Sequence, residues 1–192
     1  MEKTKLNVKD FVVIGVINAI AAVLFMVIGT VMGSTPIGWV FMHSVLAIPF
    51  GILYMLLYSK VPKKGVVLLG GVLVILLQLM NNWIIPAIML VIYIINELIW
   101  DIGSQKKFSK MVLAFTIFMT GWAVASFAPI LVMKDAYIAQ FGDRAAYFEQ
   151  AYNALAGPIG IGVLAAVIAA SILGAFLGRA ILKKHFEKAG IV

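Results

Sequence analysis

Long apolar runs, divided by short stretches rich in Gly, Pro, Asn or charge, limit what this chain can fold into more than any single motif does. The runs are Phe11–Met32, Trp39–Tyr58, Val66–Met80, Trp83–Trp100, Met111–Met133 and Gly157–Leu182. A hydrocarbon core takes roughly 20 helical residues to cross. The spacing therefore predicts an all-α, polytopic membrane protein: six transmembrane helices forming a single domain over 1–192. Composition agrees, with 64% hydrophobic and 12% charged residues and a mean hydropathy of +1.09, where soluble domains carry about a quarter charged residues. The first run is too long for the apolar core of a cleaved signal peptide and reads as a retained helix. Val66–Met80 is short at about 1.5 Å per residue, so Asn81 and Asn82 either extend its last turn or form a tight turn into the fourth helix.

Charge sets the expected orientation. An even helix count puts the amino terminus, Ser59–Gly65, Ile102–Lys110 and the tail from Arg179 on one side. Of the 15 Lys and Arg residues, all but Lys134 and Arg144 lie there. Cytoplasmic loops collect such residues, so both termini are expected in the cytoplasm, with the chain multi-pass in the inner (plasma) membrane of a prokaryote. The net charge of +7 is then topological, since charges at the ends of apolar runs do not make the basic face that nucleic acid requires. The chain has no cysteine, which excludes a disulfide framework, a thiol nucleophile and a thiolate metal site.

The loops expected outside are unequal. Gly33–Gly38 is a brief Gly/Pro turn and the Asn81-Asn82 turn is tight, whereas 134–156 is long, and long loops often carry function. Within it Asp143 is placed to cap a helix in which Phe148, Ala151, Tyr152 and Leu155 recur at i, i+3, i+4 and i+7. Such a helix lies flat on the bilayer surface as a tether or folds as a lid across the mouth of the bundle.

The outer halves of the runs hold Trp39, Asn81, Asn82, Trp83, Trp122 and Ser126, and the loop adds Tyr137, Arg144, Tyr147, Tyr152 and Asn153. Aromatic walls with a few amides and a charge suit a small, partly aromatic or amphipathic ligand, although Trp and Tyr also gather at membrane interfaces. Arg144 and Lys134 are the candidates for an anionic group. Pro86 and Pro129 can open backbone carbonyls toward a cavity. Small residues form close-packing faces in the last run (Gly162, Ala166, Ala170, Gly174 and Gly178) and in the first (Gly15, Ala19 and Ala22). Their partner is another helix of this chain or another subunit.

Glu97 is the only acidic residue well inside an apolar run, and an ionisable group at such depth is a functional hypothesis in itself. Its carboxylate either pairs with Lys106, Lys107 or another helix, or serves as a proton-coupling site. No Ser/His or Asp/Asp pair and no His/Glu metal cluster is apparent at one depth. His43 stands alone in its helix and His185 lies in the basic tail. A Gly-rich phosphate loop ending in Lys-Ser/Thr is also missing. The chain is therefore expected to be no enzyme and to need no cofactor or metal. Energy for uphill transport would come from a partner or an ion gradient.

KLNVKDFVVIGVINAI (Lys5–Ile20), INELIWDIG (Ile95–Gly103), KDAY (Lys134–Tyr137) and above all GRAILKKHFEKAGIV (Gly178–Val192) resemble the Trep_Strep family of integral membrane proteins. That family is similar to the substrate-binding S components of energy-coupling factor (ECF) transporters. The resemblance implies a six-helix protein that captures a vitamin-like micronutrient from outside. It also implies partners: a transmembrane scaffold (T) component and two cytoplasmic ATPases, on which the S component topples to deliver its cargo. The class docks through a small-residue motif in helix 1, ideally Ala-xxx-Ala; here Gly15 and Ala19 hold that spacing, which leaves helix 1, helix 6 or both as the contact. Its ligand contacts come from the outer loops and the outer ends of helices 4 to 6, where the aromatic and amide set lies. Two functional readings follow, a capture subunit of an ECF-type ABC importer and a stand-alone secondary transporter coupled to protons through Glu97.

Overall fold

The computed structural model describes residues 5–186, the side chains of His185 and Phe186 excepted. Lys3, Lys188 and the last part of the tail motif, 187–192, lie outside the described residues. The regular structure within them is helical: α1 (Val8–Met32), α2 (Pro36–Lys60), α3 (Val66–Gly70), α4 (Val72–Gln78), α5 (Ile84–Trp100), α6 (Phe108–Val132), α7 (Lys134–Ala139), α8 (Ala145–Ala156) and α9 (Pro158–Ile181). A 3-10 turn (Gly142–Arg144) precedes α8 and a π-helical turn (Leu182–Phe186) follows α9. Among the described residues, four helices are long and apolar enough to cross a membrane: α1, α2, α6, and α9 with its continuation to Lys184. Helix α5 has 17 residues, and the run Val66–Met80 is a broken pair instead of one helix.

Caps set the starts of the first two long helices. The Asn7 side chain accepts the Asp10 N–H while the Asp10 carboxylate accepts the Asn7 N–H, a reciprocal capping box. Thr35 accepts the Gly38 N–H ahead of α2, whose first residue is Pro36.

Helix α2 is central, packing on α1, α6, α8 and α9, and its Leu46, Ala47, Phe50 and Tyr54 are fully buried. Its most extensive partner is α9. There Gly51 and Gly174 bring two backbones together, and a Cβ on either would overlap the other helix's main chain. Close backbone approach of this kind holds helices together where lipid supplies no hydrophobic drive. Gly174 therefore faces a helix of its own chain. The other end of the small-residue stripe is free of that contact: Gly162 is exposed with open space beside it, and Ala166 and Ala170 are half-buried. In α1, Gly15 and Ala19 lie on an outward face beside exposed Val12, Val16 and Val23, whereas Ala22 is turned into the core.

The break between α3 and α4 falls at Gly71, where neighbouring helices leave no room for a side chain. The rings of Tyr93 and Phe118 approach Gly71 so closely that an added Cβ would lie 2.6 and 2.7 Å from them. Backbone groups freed by a break in an apolar medium need partners, and two neighbouring helices supply them. Asn18 of α1 donates to the Leu69 carbonyl at 3.0 Å and accepts the Leu73 N–H at 3.3 Å. Tyr54 of α2 donates to the Gly70 carbonyl at 2.7 Å. Glu97 of α5 accepts the N–H groups of Gly65, Val67 and Leu68, at 2.6, 3.0 and 3.0 Å, at the start of α3. The carboxylate thus reaches another helix and not Lys106 or Lys107, because unpaired amides and the helix dipole converge there. Helix α3 begins beside the end of α5, so the broken pair runs antiparallel to α5.

The two ends of the bundle differ in character. At one end, Lys63 binds Asp10 at 2.6 Å and Lys64 binds Asp101 at 3.1 Å, and the Trp100 indole donates to the Lys63 carbonyl. The described Lys and Arg residues other than Lys134 and Arg144 lie toward this end. Helices α7 and α8 roof the opposite end, α8 burying Phe148, Ala151 and Leu155, with Tyr152 half-buried. Asp143 does not cap α8. The chain turns through Gly142, at φ 48°, into the 3-10 turn, whose own carbonyl accepts the Ala145 N–H, so no side-chain cap is formed.

Candidate ligand-binding site

Beneath the roof lies a cavity of about 690 Å³, within the range of small-molecule sites. Helix α1 contributes Phe25, Met26, Gly29 and Thr30, and the following turn adds Gly33. Trp39 and Met42 come from α2, Leu77 and Gln78 from α4, Met80 and Asn81 from the next turn, Ile85 from α5 and Ser126 from α6. Tyr137, Phe141, Arg144, Tyr147 and Phe148 cover it from above, and it stays partly open beside the exposed Met26, Thr30, Met80 and Asn81.

Phe148 is the centre of the roof. Phe141 stacks on it with ring centroids 4.0 Å apart, and Tyr137 and Trp39 meet it edge-on at 5.6 and 5.8 Å. Two polar ties fasten the roof to the bundle. The Tyr147 hydroxyl lies 2.8 Å from the Gly33 carbonyl and 3.0 Å from that of Thr35 and donates to this pair. Asn82 donates to the Gln140 side-chain oxygen at 3.1 Å.

The polar groups of the wall are few and differently engaged. Asn81 donates to Gln78 Oε1 at 2.8 Å, and Gln78 Nε2 has no partner among the described residues. The Tyr137 hydroxyl likewise makes no hydrogen bond there. Burial pushes the Tyr137 phenol up to about 12, with Tyr147 adding to the effect. Burial also raises Tyr147, opposed by the Arg144 guanidinium. Tyr137 therefore stays a neutral hydroxyl, able to donate, at physiological pH. Arg144 is exposed at the rim, its guanidinium 4.7 Å from the centre of the Tyr147 ring and 5.7 Å from that of Phe148.

At the floor, Ser126 Oγ lies 3.2 Å from His43 Nε2. His43 is fully buried between the edges of Trp122 and Phe127, and its Nδ1 has no partner. Trp122 is itself buried behind this pair. His43 reads as isolated in its own helix because its partner is 83 residues away on α6.

Of the residues singled out from sequence, Trp39, Asn81, Ser126, Tyr137, Arg144 and Tyr147 line the cavity. Asn82 instead ties the roof, and Trp122 backs the floor. Trp83 is 71% exposed, pointing away from the bundle. Tyr152 is half-buried under Lys134, which also lies 3.5 Å from Glu149, and Asn153 is exposed. Pro86 and Pro129 are buried without joining the wall. Sequence reasoning missed Gln78, although it is the only hydrogen-bonding side chain in its run before Asn81, and the α1 residues, for which no local signal stood out.

A family model described as a hypothetical bacterial integral membrane protein, Trep_Strep, matches residues 8–188. The chain belongs to the Trep_Strep family. It is thus a bacterial integral membrane protein, and the family match extends over α1 to α9, cavity and roof included. No curated protein and no solved structure matches this Trep_Strep chain.

Proposed function

We propose that this Trep_Strep protein is the substrate-capturing S component of an ECF-type ABC importer, a non-enzymatic subunit that takes up a vitamin-like micronutrient. The observation that carries this reading is the aromatic-walled cavity covered by a tethered roof at one end of the bundle. A partly roofed receptacle of this size supports capture of a small molecule. In this reading the chain crosses the bacterial plasma membrane six times, with α3–α4 and α5 as the third and fourth crossings. Residues 66–78 extend roughly 20 Å as helix, and local bilayer thinning accommodates such a short crossing. The Lys-rich end faces the cytoplasm with both termini, and the roofed end faces outside, where a nutrient arrives.

Energy then comes from a scaffold and two ATPases, since the sequence carries no phosphate loop. The exposed α1 face around Gly15 and Ala19 is the proposed docking surface, with the free part of the α9 stripe as its neighbour. Glu97, engaged by three backbone N–H groups, supports a structural role over proton coupling. The test is to tag the chain in its own bacterium and identify what co-elutes from solubilised membranes. A scaffold protein with two ATPases is expected; elution without them would overturn the assignment.

A further inference from the structure

The charge inventory of the cavity wall is one-sided. Arg144 is the only ionised side chain lining it, and no carboxylate lines it. Arg144 also has no acidic partner among the described residues. Its guanidinium is steadied against Tyr147 and Phe148, which leaves its N–H groups free to donate. Lys134, the other cation of the roof, is engaged with Glu149 and Tyr152 and stays outside the wall.

Two further donors are uncommitted. Gln78 is only 3% exposed, its oxygen is taken by Asn81, and its Nε2 is left without a partner. Tyr137 is equally buried, with its hydroxyl unpartnered. Neither donor atom is sealed inside the protein; both residues line the cavity, where the protein supplies no acceptor and a bound molecule can. Trp39 and Phe148 add flat apolar surface.

Building on the capture role proposed above, we infer that the ligand is a small organic monoanion with a planar apolar body. Its anionic group meets Arg144, its other acceptors take the donors of Tyr137 and Gln78, and its body lies against Trp39 and Phe148. Cations are disfavoured, because nothing ionised in the wall balances them.

Isothermal titration of the purified full chain in a neutral detergent tests this with three probes of one shape: 2-naphthoate, 2-naphthamide and 2-naphthylmethylammonium. The expected order is naphthoate tighter than naphthamide by at least ~10-fold, the increment of a charge-assisted hydrogen bond, with the ammonium weakest. Arg144→Gln should erase the preference for naphthoate, weakening naphthoate far more than naphthamide, and Tyr137→Phe should weaken naphthoate by a smaller factor. Phosphatidylglycerol, which carries the monoanion of a bilayer headgroup, should not compete. Equal affinities, preference for the ammonium, no binding of any probe, indifference to Arg144→Gln, or displacement by phosphatidylglycerol would each overturn the inference. The experiment uses the chain alone, so loss of charge preference leaves the transporter assignment standing, and failure to co-purify with ATPases leaves the charge preference standing.

Discussion

Glu97 on α5 accepts the backbone N–H of Gly65 at 2.6 Å, placing a buried carboxylate at the start of a helix that is itself interrupted one turn later. Its second oxygen takes the N–H groups of Val67 and Leu68. The position favours negative charge, both from the unpaired amides and from the helix dipole. Glu97→Gln removes the charge and one of the two acceptor oxygens. Hydrogen bonds to charged groups contribute about 1.5–3 kcal/mol each, so the variant should lose about 2 kcal/mol and Glu97→Ala more, read as a lower unfolding midpoint in detergent. An unchanged midpoint together with abolished proton-dependent uptake would instead assign Glu97 to coupling.

The Gly51–Gly174 contact makes a sharper steric prediction. Gly174→Ala drives a methyl group toward the Ala47 carbonyl and the Ile48 main chain, and overpacking of this kind costs about 1–3 kcal/mol. Gly162→Ala, in the same small-residue stripe but with open space beside it, should leave the unfolding midpoint unchanged or raise it, since Ala is the better helix former. Equal effects from the two would show that the stripe acts as one surface.

How much of this was legible in the sequence depends on how local each feature is. The long helices announce themselves through apolar length, and Asn7, Thr35 and Pro36 mark two of their starts. The third run misleads because its apolar length hides the break at Gly71, where Tyr93 and Phe118 from other helices leave no room for a Cβ. Its repair by Asn18 and Tyr54 is equally non-local: the Leu69 carbonyl that Asn18 reaches is 51 residues away. The same distinction runs through the site. Tyr147 and Arg144 were visible as aromatic and charged residues in a long loop, but the carbonyls that fix Tyr147 are more than a hundred residues away. Trp83 was drawn in by residue type alone and points outward, where an indole suits the membrane interface.

The roof should loosen when its tie is cut. Tyr147→Phe keeps the ring against Phe148 and deletes the donor to Gly33 and Thr35. Hydrogen–deuterium exchange should accelerate through α8 while α2 and α9 stay protected, and global stability should fall by no more than about 1 kcal/mol. Uniform acceleration across the bundle would contradict a local tie.

The absence of cysteine makes orientation directly measurable. Ala146→Cys lies exposed on the roof and Lys106→Cys exposed at the opposite end. In intact cells a membrane-impermeant maleimide should label the first and spare the second until the membrane is opened. The reverse pattern would turn the cavity toward the cytoplasm and remove the case for capture from outside.

The central claim is that the roofed cavity holds a captured small molecule, and native mass spectrometry of the purified chain tests it most directly. Thr30 lines the cavity from an exposed position on α1, so Thr30→Trp crowds an indole into the space with little disturbance of the core. A discrete adduct, released on activation, is predicted for the natural sequence and should fall in occupancy in Thr30→Trp. The same adduct at the same occupancy in both proteins, or none in the natural one, would contradict the claim.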